Sequence, residues 1–360
     1  MNPHRFQQLA QQYPALRVGL LGDFCLDRYL EIDPARAETS IETGLPVHNI
    51  VNVRAQPGGA GTILNNLVAL GVGSIYPIGF CGEDGEGYEL RRALAAHPAI
   101  HLDGFLQTKE RRTFTYCKPL VLAPGKAPQE LNRLDLKNWT PTPVAVEAAL
   151  VASLLRLAPQ LDVLIVLDQV DIAETGVVTR QVLQTIQQLA RQQKDRVIIA
   201  DSRRGLRGWP PVIFKMNAAE LAALNQVPAQ SAVEEVKRMA GSLAQQQGRL
   251  VFVTLADRGM MVSTPQGEVE HVPALPLRGP IDIVGAGDAV TASLAVSLAV
   301  GATPREAIEV ASLAASVVIH QLGTTGAASP PAIAALLEST CEWCTHQELN
   351  LIFDLLRHCS

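Results

Sequence analysis

Short apolar runs rich in Val, Ile and Leu recur along the chain, and stretches with apolar residues at helical spacing separate them. "RVGLLGDF" (17–24), "DVLIVLD" (162–168), "RVIIAD" (196–201), "PVIFKMN" (211–217) and "LVFVTL" (250–255) hold too few polar residues to be half-exposed. They predict strands covered on both faces. Between them, residues 175–194 carry an apolar stripe and a Gln/Arg face, "AAELAALNQ" follows a strand directly, and "AVEEVKRMAGSLAQQQG" ends on a glycine before the next strand. This alternation predicts an α/β fold with a doubly wound, mostly parallel sheet flanked by helices.

Two regions break the rhythm. Residues 29–56 and 105–135 alternate polar with apolar positions, contain several prolines and have few helix formers. They predict extended, partly exposed strands, and so a small β-strand lid inserted into one domain spanning 1–330. The tail, 331–360, predicts one or two amphipathic helices packing on the core or on a partner subunit.

In such a sheet, ligands sit at the carboxyl ends of the strands. Gly22, Asp23 and Asp27 follow the first strand, Asp168 and Asp201 end two more, and Asn217 and Glu220 follow another. One aspartate there is an ordinary helix cap. So many on one edge predict a site.

Composition narrows the functions. Of 360 residues 48% are apolar, enough for a large core, and the formal net charge of -5 argues against nucleic-acid binding. The first residues hold no uninterrupted apolar segment of the signal-peptide kind, and the longest mostly apolar stretch, 289–302, is too short to span a bilayer. The expectation is a soluble, cytoplasmic protein. The six cysteines read as reduced thiols. Cys341 and Cys344 have C-x-x-C spacing, but no second ligand pair accompanies them. None of the eight histidines is assigned a metal.

Two glycine clusters carry the chemistry. "QPGGAGTILNNLVALG" (56–71) places Gly58, Gly59 and Gly61 before a helical pattern that stops at Gly71. "DIVGAGDAV" (282–290) is stronger. Val290 stands where a dinucleotide fingerprint wants its third glycine, and no Gly-Lys-Ser/Thr follows, which excludes a Walker loop. What remains is a Gly-Ala-Gly turn opening a helix that stops at Gly301. Amides at a helix start stabilise an anion. Asp288 beside them cannot bind that anion, but it can accept a proton from an attacking hydroxyl. Anion hole plus base is the apparatus for phosphoryl transfer to an alcohol.

These motifs resemble the ribokinase-like (PfkB) carbohydrate kinases. The chain carries D-x-x-G-A-G-D at 282–288, a double glycine with an asparagine-bearing helix at 58–66, N-x-x-E at Asn217 and Glu220, and an echo of T-x-G-x-x-G at 254–259. All four lie in the family's order. "GDFCLDRYL", "SIETGLPV" and "NRLD" further resemble the heptose-7-phosphate kinase group of ADP-heptose synthesis.

The resemblance implies a ribokinase-like fold and transfer of the γ-phosphoryl group of ATP to a sugar or sugar-phosphate hydroxyl. It implies Asp288 as base and the amides of Gly285, Ala286 and Gly287 as the anion hole. Asn217 and Glu220 would organise Mg²⁺ and the ATP phosphates, largely through water. Thr254, Gly259, Asp282 and Ser312 would flank the nucleotide. Asp27, Gly58, Gly59, Thr62 and Asn66 would meet the sugar. Relatives often dimerise through the lid.

Departures fall mostly on the sugar side: Thr62 replaces an asparagine, Glu38 an arginine, and Gln169–Val170 the Tyr-x of a D-Y-x-K-G motif. Ala256 and Ser312 also differ, on the nucleotide side. They imply a changed acceptor, and they keep open a second reading as a non-catalytic sugar- or nucleotide-binding protein. Arg203 reads as either a phosphate grip or a solvated side chain. Arg204, Arg207, Lys109, Arg111 and Arg112 read first as surface charges.

Overall fold

The computed structural model describes residues 1–229, 232–323 and 325–339. Its strands, in chain order, are β1 (Arg17–Gly22), β2 (Phe24–Ile32), β3 (Glu38–Thr39), β4 (Pro46–Val47), β5 (Ile50–Gly59), β6 (Ser74–Gly82), β7 (Phe105–Thr108) and β8 (Phe114–Val121). They continue with β9 (Gln129–Glu130), β10 (Leu134–Leu136), β11 (Val163–Asp168), β12 (Val197–Ser202), β13 (Ile213–Asn217), β14 (Val251–Thr254), β15 (Met260–Ser263) and β16 (Val269–Val272). The helices are α1 (Pro3–Ala10), α2 (Ala60–Ala69), α3 (Gly85–Leu94), α4 (Val144–Leu157), α5 (Arg180–Gln192), α6 (Ala218–Asn225), α7 (Val233–Gln247), α8 (Ala286–Ala299) and α9 (Pro304–Ile319).

Nine strands form the main sheet in the order β16-β15-β14-β13-β12-β11-β1-β6-β7. Neighbours from β14 to β7 pair in parallel, and β15 and β16 add an antiparallel edge. Alternate residues of β11 explain the layers. Val163, Ile165 and Leu167 join one core with residues of α2, α8 and α9, while Leu164 and Val166 join another with residues of α4, α5 and α7. A strand buried on both faces shows no polar alternation, which is why these runs are continuous.

Helix boundaries follow local chemistry. Asn217 and Glu220 form a reciprocal capping box at the start of α6, and Thr303 and Glu306 another at α9. Gly248 ends α7 in a left-handed conformation. α9 ends at Ile319, on a C-cap at His320.

The lid is a second sheet in the order β10-β8-β2-β5. The second insertion enters it later than the sequence pattern suggests: Phe105–Thr108 pair with β6 as the edge of the main sheet. Phe105 is buried against Phe24, and that anchoring keeps the segment in the core. A helix covers 330–339, with Ile333 and Leu336 in the core. Cys341, Cys344 and the rest of the predicted tail lie outside the described residues. Cys25, Cys81 and Cys117 are free and buried. Among the described residues no helix is long and apolar enough to cross a membrane.

Candidate active site

The strand order lines up Thr254, Asn217, Asp201, Asp168 and Gly22 along one edge of the main sheet. The start of α8 sits over its middle, against β11 and β12. Gly285 makes this possible. Its φ is +84°, and a Cβ there would lie 2.7 Å from Thr325 Cγ2. The Ala286 amide does not face outward, contrary to the expected set of three. It donates to the Ile283 carbonyl at 3.2 Å, because the left-handed turn closes on itself. The amides of Gly287 and Asp288, second and third in the helix, have no carbonyl within it to bond. They are the donors left for an anion.

Asp288 is half-buried beside them. Burial pushes its carboxyl up to about 7; Lys215 opposes that rise, and Asp201 and Asp27 add to it. The Lys215 ammonium lies 2.6 Å from Asp201 Oδ2, and 3.3 Å from where a Cβ on Gly287 would stand. Burial lowers the Lys215 pKa, but Asp201 outweighs it, so the ammonium titrates above its ordinary value. Thr291 Oγ1 lies 3.2 Å from the same Asp201 oxygen and 3.0 Å from the Gly287 carbonyl. A buried cation therefore lies beneath the start of α8. Sequence reasoning passed over Lys215, although a lysine inside the apolar run "VIFKMN" signals a paired, buried charge.

On the side where the resemblance puts the nucleotide, Asn217 and Thr254 are Cα partners on adjacent strands. Gly259 has φ +92° in the turn that follows, and Ala256 there also has a positive φ of +55°. Asp282 Oδ1 accepts from the Val284 amide at 3.0 Å, and its own amide donates to Ile319 O at 2.8 Å, so it braces the loop before Gly285. The half-buried Ser312 holds an Oγ with no hydrogen-bond partner. Burial raises the Glu220 carboxyl, and its Oε2 accepts the Asn217 amide at 2.8 Å. One hard carboxylate in the first turn of α6, beside Asn217, fits a Mg²⁺ that keeps most of its waters. No group of three metal-holding residues exists among the described residues. His97 and His101, four apart, turn to other uses: His97 Nδ1 accepts the Ala99 amide, and His101 stacks on Tyr76.

On the lid side, Asp27 is nearly buried, 3.6 Å from Lys118 Nζ. Burial raises its pKa and Lys118 lowers it. Gly58 lies against this carboxylate, where a Cβ would come within 2.8 Å. Tyr29 sits between Arg54 and Lys118, each 4.8 Å from its ring, and Arg133 lies 4.9 Å from the Tyr116 ring. Thr62 abuts the start of α8, its Cγ2 3.5 Å from a Cβ placed on Gly285. Asn66 departs from expectation: it is 1% exposed, and its amide donates to Thr62 O within α2, so the helix itself consumes it.

The basic residues divide. Arg203 is half-exposed, 3.7 Å from Asp171, and lowers the Asp288 pKa. Arg204 pairs at 2.7 Å with the fully buried Asp168, so it is more than a surface charge. Arg207 donates to the Ala223 and Leu224 carbonyls at the end of α6. Arg111 is buried against Thr140, whereas Lys109 is exposed beside Glu83.

The profile of the pfkB family carbohydrate kinases matches residues 24–331. The bifunctional protein HldE of Azorhizobium caulinodans is 30% identical over 308 residues, 85% of this chain and 61% of that protein. HldE of Bradyrhizobium diazoefficiens is 31% identical over 328 residues, 89% of this chain and 62% of that protein. The chain thus spans about three fifths of the length of these curated relatives. Among solved structures, Arabidopsis thaliana ribokinase complexed with ribose and ATP superposes with a TM-score of 0.64 at 18% identity, covering 89% of this chain and 98% of that one. Phosphofructokinase-2 of Escherichia coli in complex with fructose-6-phosphate gives 0.64 at 16% identity, covering 90% and 99%.

Proposed function

The chain belongs to the pfkB family of carbohydrate kinases, and within it we propose that it moves the γ-phosphoryl group of ATP onto a hydroxyl of a sugar or sugar phosphate, with Asp288 as general base. Membership makes it a phosphotransferase with an alcohol group as acceptor. One observation carries the finer reading. A half-buried carboxylate poised at about 7 stands at a helix start whose second and third amides lack intrahelical partners.

The chemistry follows from that placement. The acceptor hydroxyl approaches Asp288 from the side of Asp27, the Gly58–Gly59 turn and Thr62. Asp288 takes its proton as the oxygen attacks phosphorus. The amides of Gly287 and Asp288, backed by the Lys215 ammonium, meet the charge on the transferring phosphoryl oxygens. Arg203, whose charge reaches Asp288, adds a further cation. Glu220 and Asn217 would hold Mg²⁺ through water; when bound, it neutralises phosphate charge. The turn from Thr254 to Gly259, with Asp282 and Ser312, would flank the nucleotide.

The acceptor pocket is rich in cations, with Lys118 and Arg133 on the lid side. That favours an acceptor with an anionic group, and heptose 7-phosphate is the first to try, given the likeness to HldE. Ile50, Val51 and Val53 on the edge strand β5 are 44–50% exposed, which supports a homodimer through the lid. The absence of a membrane-spanning helix among the described residues is compatible with the cytoplasm. ADP release during a screen of sugars and sugar phosphates tests the function. No release above the acceptor-free background from any of them would overturn it.

A further inference from the structure

The stretch between β11 and α5 leaves the main sheet at Gln169 and returns at Val177. Both ends land on one carboxylate. Asp23 Oδ2 accepts the Gln169 amide at 2.8 Å, and Oδ1 accepts the Val177 amide at 2.7 Å. Residues 170–176 are therefore a loop whose two ends meet on one carboxylate, while Thr142 holds it from outside, its amide donating to the Glu174 carbonyl at 2.7 Å and its hydroxyl to the Gly176 carbonyl at 2.6 Å. Asp23 itself is 3% exposed and held on two further sides. Its amide donates to Leu167 O at 3.3 Å, and its carbonyl accepts the Ala60 amide at 3.0 Å, at the start of α2. Gly59, with φ +58°, lets the chain pass, because a Cβ there would lie 2.5 Å from the Asp23 carbonyl. Gly176 does the same on the loop side, where a Cβ would stand 2.3 Å from Asp23 Oδ1.

The loop packs against the lid near Asp27. Val170, Asp171 and Ile172 line a small cavity of about 20 Å³ together with Tyr116, Lys137 and Trp139. Asp171 reaches Lys137 at 2.7 Å and Arg203 at 3.7 Å. Tyr116 is the Cα partner of Asp27. One side of the loop is thus the wall opposite the lid, and its position sets how Arg203 and Lys137 stand around an acceptor.

We infer that Asp23 is a positioning residue for the acceptor: it clips the 170–176 loop against the glycine turn, so that one buried carboxylate registers both walls of the pocket. The assignment rests on the phosphoryl-transfer reading for its use, but its structural content is independent of it. An asparagine at 23 can still accept at one oxygen, while its amide nitrogen faces an N–H and can accept nothing.

Asp23→Asn and Gly176→Ala in the full chain test this. The first readout is hydrogen exchange by mass spectrometry across 169–177. Both variants should speed exchange there about tenfold or more, with β11 and α8 unchanged, as local opening of one loop requires. The second is steady-state ADP release with ribose, fructose 6-phosphate and heptose 7-phosphate as acceptors. The acceptor KM should rise about tenfold, the change expected when a charged hydrogen bond is lost, while the ATP KM stays within about twofold. Unchanged exchange in the loop, or acceptor and ATP KM rising together, overturns the clip. If wild type turns over no acceptor, the kinase reading fails and the exchange result alone decides. If Asp23→Asn does not fold, Gly176→Ala probes the same contact from the other side.

Discussion

The start of α8 and the lid both gather charges around the proposed reaction, yet they hold them differently. Beneath α8 the Lys215–Asp201 pair is 2.6 Å long, and both side chains are at most 12% exposed. On the lid, Arg54 and Glu31 meet at a similar 2.7 Å, but Arg54 is 46% exposed. Every residue of β5 from Ile50 to Ala55 is exposed. Equal distances therefore mean unequal energies. A solvated pair contributes about 0–1 kcal/mol. Breaking a buried pair by removing one partner costs about 3–5 kcal/mol, since the other charge is left stranded. On the proposed reading, the chemistry falls in the buried region and the choice of acceptor in the more exposed one.

The sharpest way to break this contrast is at Asp288. Asp288→Asn should lower turnover by about 10²- to 10⁴-fold, the range for a lost general base. ATP affinity by calorimetry should hold. A variant with full turnover would move the base elsewhere.

Lys215→Met comes next. Stability in urea should fall by about 3–5 kcal/mol, and adding Asp201→Asn should restore much of it by removing the stranded charge. Arg54→Ala, measured the same way, should change stability by less than about 1 kcal/mol. Equal losses in the two regions would end the comparison.

Proton uptake sharpens it further. The Asp288 carboxyl is raised to about 7, and the reaction needs it ionised. kcat/KM should therefore climb about tenfold per pH unit up to about 7 and level off above it. The stability sign is opposite: between the unfolded carboxylate value, about 4, and 7 the folded state binds the extra proton, so this group's contribution declines as pH rises. Lys215 holds the carboxyl down, so Lys215→Met should move the kinetic break upward. A break near 4 would mean that Asp288 is not the base.

Lys118 carries the matching test on the lid. It reaches Asp27 and the Tyr29 ring and is partly exposed. Lys118→Ala should raise the acceptor KM about tenfold while leaving the ATP KM unchanged. A shift in both would mean that the lid also shapes the donor site.

The same division explains what the sequence made legible. Strands buried on both faces announce themselves as unbroken apolar runs, so the core sheet was readable, and the turn at 285–288 stood out through its glycines. What escaped depends on pairing in space. Lys215 reads as an oddity until Asp201 is beside it. Asn66 has the right type and spacing for a sugar ligand, yet its own helix takes its hydrogen bond. Ala286 is lost as an anion donor because the left-handed Gly285 closes the turn onto Ile283, which no spacing announces. Asp23 reads as an ordinary polar residue at a strand end until both ends of a distant loop fall on its carboxylate.

The smallest effect sits at Ala256. Its φ of +55° is a conformation that glycine adopts freely and alanine does not. Left-handed backbone costs an alanine about 1–2 kcal/mol. Glycine would lift that strain, but it also frees the unfolded chain, which takes back about 0.5–1 kcal/mol. Ala256→Gly should thus gain at most about 1 kcal/mol, a rise in Tm of about 1–2 °C for a chain this long. The turn borders the nucleotide side, so ATP affinity should stay level or improve while the acceptor KM does not move. A fall in Tm would show that the Ala256 methyl makes packing contacts worth more than the strain. A change in acceptor KM would tie the two regions together where they are held apart here.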